Sequence, residues 1–108
     1  MAAASLEPII KTFLARIIAL AQAECGSAGA FHIGAVEISP ACLAVWVTAK
    51  TDKERDRLKG SAALLASFRQ ALAEAGYPAD AIPHVGFAFE SQETVDRDWK
   101  GSWWACIK

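Results

Sequence analysis

The chain lacks a C-x-x-C pair, a G-x-S-x-G elbow, an unbroken apolar run of membrane length and any sizeable net charge, and each absence removes a class of function. Its three cysteines, Cys25, Cys42 and Cys106, are odd in number and widely spaced. Zinc and redox motifs need paired spacing, and secreted disulfide frameworks need an even count, so free thiols in a reducing cytoplasm are expected. Serines 39, 61 and 91 have no nucleophile-elbow setting, which leaves a serine hydrolase without support. Eleven basic residues against twelve acidic ones give a net charge of −1. Nucleic-acid binders usually carry a basic domain or patch, so this balance argues against that partner while leaving room for a local patch. It offers nothing to a membrane surface. The apolar stretch from Ile9 to Ala23 is interrupted by Lys11 and Arg16 at helical spacing. No basic segment precedes it, and it falls short of the roughly 18 apolar residues of a span or the pattern of a leader. The expected location is cytoplasmic.

What is present suits one domain over residues 1–108, because domains commonly run to about 100–150 residues. The 54% hydrophobic content includes 23 alanines, which bury little area, yet Phe, Trp, Ile, Leu and Val are ample for a core. Ser5 is placed to cap a first helix, in which Ile9, Ile10, Phe13, Leu14, Ile17, Ile18 and Ala21 form one apolar stripe. Cys25–Ala30 ends it. The Gly26-Ser-Ala-Gly29 tetrapeptide there occurs in some phosphate-cradling loops, but a helix-ending linker explains it as well.

Phe31–Ile38 and Ala41–Ala49 read as a hairpin turned at Ser39-Pro40. Leu43, Val45 and Val47 share one face of its second strand and Trp46 lies on the other. Thr51-Asp-Lys-Glu54 is a capping box that opens a charged helical turn broken at Gly60. Ser61 recaps a second stripe of Leu64, Leu65, Phe68, Leu72 and Ala75. Val85, Phe87 and Phe89 alternate along a third strand. An eleven-residue polar loop, Ser91–Gly101, then leads to a short fourth strand, Ser102–Ile107. The expected architecture is an α+β two-layer sandwich in the order helix, strand, strand, broken helix, strand, strand. Its helices cover one face of a mostly antiparallel four-stranded sheet. The helical crossover makes strands two and three parallel if they are neighbours.

The element order and the hairpin text VEISPACLAVWVT (Val36–Thr48) resemble the type-II KH-like arrangement of the ribosome-binding factor A family over residues 5–90. That resemblance implies an RNA or ribosome accessory domain. The neutral charge and the appended WKGSWW segment (Trp99–Trp104) depart from it, and no binding residue carries over. The nearest approach to a basic cluster is Arg55, Arg57, Lys59 and Arg69. Interleaved Glu54 and Asp56 make a solvated, salt-bridged face the better reading of it.

The stretch His84–Trp104 concentrates the remaining candidates. Glu90, Glu93, Asp96 and Asp98, with Arg97 among them, offer carboxylates for a cation or for acid–base work, but they lack the ligand register of an EF-hand, and a solvated loop with internal salt bridges is the plainer reading. His84 precedes the third strand, and an enzymatic reading has it converge on a pocket with Glu90 or Cys106. Trp46, Trp99, Trp103 and Trp104 are either core or a binding surface, since tryptophan serves both. With one sheet face left open by only two helices, an aromatic patch is expected there. The leading expectation is therefore a non-enzymatic interaction module that binds a protein partner or a second copy of itself. RNA binding is the alternative and a small enzyme the third reading. No residue set calls for a metal or another cofactor.

Overall fold

The computed structural model describes residues 6–36 and 38–107. Helix α1 spans Glu7–Cys25, with Pro8 in its first turn, where a missing amide costs nothing. The expected Ser5 cap lies outside the described residues, as does Glu37 of the expected first strand. Ile10, Phe13, Ile17 and Ala21 form the buried stripe of α1, and Gly26 ends it at φ 78°, donating its amide to the Gln22 carbonyl. The GSAG tetrapeptide is thus a helix terminus running into a strand, because β1 begins at Ala28 and continues to Ile33.

The hairpin is shorter than its alternation suggests. Strand β1 stops at Gly34, whose φ is 117°, and a Cβ there would sit 2.1 Å from the Cys42 carbonyl oxygen. Only glycine fits that close approach. The chain then makes a 3-10 turn at Pro40–Cys42 and enters β2, Ala44–Ala49. β1 and β2 pair antiparallel, with Phe31 opposite Trp46.

Thr51 caps α2 (Asp52–Lys59) by accepting the Glu54 amide at 3.2 Å. Its hydroxyl donates to the Glu54 carboxylate at 3.1 Å. Gly60 breaks the helical segment, and Ser61 caps α3 (Ala62–Glu74) through the Leu64 amide at 3.1 Å. The crossover delivers β3 (Gly86–Ser91) parallel to β2, so the sheet order is β1-β2-β3. Leu43, Val45, Val47 and Val85 point to one face and are buried beneath α1 and α3, with Phe87 and Phe89 partly buried beside them. No described helix is long and apolar enough to cross a membrane.

Two expectations fail at the C-terminal end. The polar loop is largely a helix, α4 (Gln92–Trp99), which follows β3 with no connection. The fourth strand is a short helix, α5 (Trp103–Ile107). The sheet among the described residues therefore has three strands, one pair antiparallel and one parallel, and is not a mostly antiparallel four-stranded sheet. The physical reason is the turn between them. Lys100 and Gly101 adopt φ 52° and 79°, which folds the chain back, and the Gly101 amide donates to the Val95 carbonyl at 2.9 Å. Ser102 Oγ then accepts the Ala105 amide at 3.2 Å, a helix-starting contact.

Arg69 anchors the approach to β3. Its Nη1 donates to the carbonyls of Ile82 (2.8 Å) and Val85 (3.3 Å), and the guanidinium lies 5.2 Å from the Phe87 ring centroid. An Arg69→Met variant keeps the stem but leaves both carbonyls without this donor. It is expected to lose about 1–3 kcal/mol of unfolding free energy. A denaturation midpoint equal to that of the parent would refute this anchoring role.

Candidate functional site

The sheet face turned away from α1 and α3 carries an aromatic cluster. Phe31 and Trp46 face each other across β1 and β2 with ring centroids 6.1 Å apart and planes 2° from parallel. Trp103 of α5 meets Phe31 edge-on at 6.0 Å and 85°. Its indole N–H donates to Gln92 Oε1 at 2.7 Å, which ties α5 to the start of α4. Between α5 and the sheet runs a groove of about 420 Å³ walled by Phe31, Trp103, Trp104 and Ile107, with Thr48 and Gln92 as its polar lining. Trp104 is 69% exposed at its lip, and Trp99 on α4 is 42% exposed. Of the four tryptophans expected as candidates, Trp46, Trp103 and Trp104 gather at this face.

The polar candidates assemble elsewhere and for another purpose. The N-termini of α2 and α4 meet at the end of the parallel β2–β3 pair, and each sends a carboxylate to the other. Glu93 Oε1 accepts the Asp52 amide at 2.8 Å, and the Glu93 amide donates to the Lys50 carbonyl at 3.1 Å. Asp52 Oδ1 accepts the hydroxyls of Ser91 and Thr94, both buried, while Arg97 Nη1 donates to its Oδ2 at 3.0 Å. Ser91 also caps α4 through the Thr94 amide at 3.1 Å. Arg55 pairs with Glu90 at 2.6 Å and donates to Thr94 Oγ1 at 3.0 Å. The two hydroxyls, followed by Arg97, hold the Asp52 carboxyl well below the usual carboxylate range. In return Asp52, followed by Asp98, holds Arg97 more firmly protonated. The Glu90 carboxylate does the same for Arg55.

Each carboxylate of the expected loop thus has a partner in the fold. Asp96 accepts Gln92 Nε2 at 2.8 Å, and Asp98 accepts Arg97 Nε at 3.2 Å. His84 does not join Glu90. It is exposed in a 3-10 turn at Ile82–His84, and Glu90 lies at the far end of β3, about 20 Å of extended chain away. Burial, followed by the charge of Glu90, pushes the Cys106 thiol up, the opposite of what a nucleophile requires. Among the described residues no three His, Cys, Asp or Glu side chains are grouped to hold a metal ion.

Sequence reasoning did not single out Phe31, Thr48, Gln92 and Ile107 for the groove, or Asp52, Ser91 and Thr94 for the polar network. Ser91 carried a usable signal, since a serine directly after a strand with an acid two residues on marks a helix start. Phe31 carried none, because its role depends on α5 folding back over the sheet.

Comparison of the chain with protein-family models, with curated proteins and with solved structures returns no match. The resemblance of its element order to ribosome-binding factor A is therefore not accompanied by any measured similarity.

Proposed function

We propose that this chain is a protein-interaction module that receives apolar side chains of a protein partner on the aromatic face of its sheet. The observation that carries the reading is the groove between α5 and the Phe31–Trp46 stack, with Trp104 exposed at its lip. Its chemistry favours protein over sugar or base. A sugar needs many free polar groups, yet the Gln92 amide is already held by Trp103 and Asp96. A nucleotide needs a free cation beside the stacking planes, and no Lys or Arg lines the groove. Aromatic walls with few polar groups suit the buried centre of a protein interface.

The RNA reading loses its cations to the fold. Arg55 pairs with Glu90, Arg57 lies 3.7 Å from Glu24, and Arg69 anchors the β3 approach. Lys59 alone of that group has no partner described above. The enzymatic reading lacks convergence, because His84 lies in the turn before β3 and Glu90 near the far end of that strand.

The test is a photo-crosslinking phenylalanine analogue at position 104 in living cells, with the same analogue at position 59 as control. A discrete protein adduct from position 104 only is the expected result. Equal adduct patterns from both positions, or none from position 104, would remove the reading.

A further inference from the structure

We infer that the partner is a second copy of this chain, joined by antiparallel pairing of β1 with β1 into one continuous sheet. The inference rests on the interaction reading above and names its partner. The two edges of the sheet differ in how they are guarded. At β3 the Gly86 amide donates inward to the Leu43 carbonyl at 3.1 Å, so alternation turns Phe87, Phe89 and Ser91 outward. The Ser91 amide is already taken by Glu90 Oε1 at 2.9 Å, and the charged Arg55–Glu90 pair stands beside it. Charges and occupied amides are the devices that close an edge.

Strand β1 has neither. The same alternation turns the even-numbered residues of β2 toward β1, so Gly29, Phe31 and Ile33 bond inward and Ala28, Ala30 and His32 present their amides and carbonyls to the open edge. Gln22 Nε2 donates to the Ala28 carbonyl at 3.1 Å, which blunts that end and leaves Ala30 and His32. No Asp, Glu, Lys, Arg or Pro occurs from position 25 to position 36. A net charge of −1 sets little repulsion against a second copy.

The free groups define the register. A two-fold axis through Phe31 sets Ala30 against His32 of the second copy and the reverse, each exchanging both backbone hydrogen bonds. Phe31 then faces its own counterpart as a non-hydrogen-bonded pair, with Cα atoms about 4.5 Å apart and the rings together on the aromatic face. Ile33, 38% exposed, lies over Gly29 of the second copy, where no side chain obstructs it. Strand pairing over about 20 Å does not by itself reach the roughly 800 Å² per partner of a stable interface, so Phe31 and Ile33 must be buried with it.

The test combines sedimentation with hydrogen exchange on the full chain. The parent is expected to sediment as a dimer at high micromolar concentration and to dissociate on dilution, with the Ala30 and His32 amides protected only in the dimer. Ala30→Pro removes an outward amide without touching the β1–β2 ladder, and Ile33→Lys puts a charge where Ile33 would be buried over Gly29 of the second copy. Both are expected to be monomers with parental circular dichroism, and Ile33→Lys keeps the test open if the proline variant misfolds. A parent that is monomeric throughout, or a dimer whose Ala30 and His32 amides exchange freely, overturns the inference. A monomer that still yields a position-104 adduct with another protein overturns this inference alone and leaves the interaction reading standing.

Discussion

Replacing Phe68 with alanine is expected to remove a large share of the protein's folding stability. The ring is fully buried on α3, with centroids 5.8 Å from Phe87 and 6.4 Å from Phe89, so it holds the helix layer against β3. Truncating a buried phenylalanine costs about 3–5 kcal/mol, because the lost transfer energy is joined by the cavity left behind. Domains of this size have about 5–15 kcal/mol in total, so the loss consumes a large share. The measurement is a urea midpoint at unchanged slope, which separates lost stability from a changed denatured state. Leu65→Ala on the same helix, partly buried, is the comparison and is expected to cost less. A Phe68→Ala loss below about 1.5 kcal/mol would mean that the surrounding side chains collapse into the space and that α3 is not tightly seated.

Phe68 was legible from spacing alone, and so was most of the layer it belongs to. The stripes of α1 and α3, the aliphatic face of β2, the capping box at Thr51 and the parallel crossover all follow from local periodicity and from the handedness of connections. Legibility ended where the decisive contacts became long-range. Ser102–Ile107 alternates over too few residues to separate a strand from a helix, and what settles it is the positive-φ turn at Lys100–Gly101. Once α5 folds back, Trp103 reaches Phe31 and Gln92, contacts that no spacing in the chain announces. The carboxylates were legible only in part, for a related reason. Asp96 and Asp98 find Gln92 and Arg97 within the segment, but Glu90 pairs with Arg55 and Glu93 with the Asp52 amide, some forty residues earlier in the chain. A charge-rich segment declares its charges and conceals what neutralises them.

That partnership gives the second large effect. Asp52→Ala is expected to loosen α4 and α5 together while leaving the α1–α3–sheet core folded. The Asp52 carboxylate is the acceptor for the buried Ser91 and Thr94 hydroxyls and for Arg97, so its removal strands two buried donors and one cation at the start of α4. Because Trp103 is tied to Gln92 in the first turn of α4, the disturbance should reach α5 and open the groove. Amide exchange from Val95 to Trp99 is expected to accelerate and Trp103 fluorescence to become more easily quenched, with the amides of α1 unchanged. Asp52→Asn retains the shape but has only one oxygen to accept what two now accept, so it should fall between the parent and the alanine variant. The pH dependence has a definite sign. Asp52 is held below its ordinary value in the folded state, so its contribution is fully present above about pH 4 and is lost as the pH falls further toward the folded value. In the parent, quenching of Trp103 should therefore rise in acid before the far-ultraviolet signal of the core is lost. In Asp52→Ala it should already be high at neutral pH and show no such separate acid step. If the parent and the variant were to exchange and quench alike, the two helix N-termini would not be holding one another, and the groove would owe its shape to the Phe31–Trp103 contact alone.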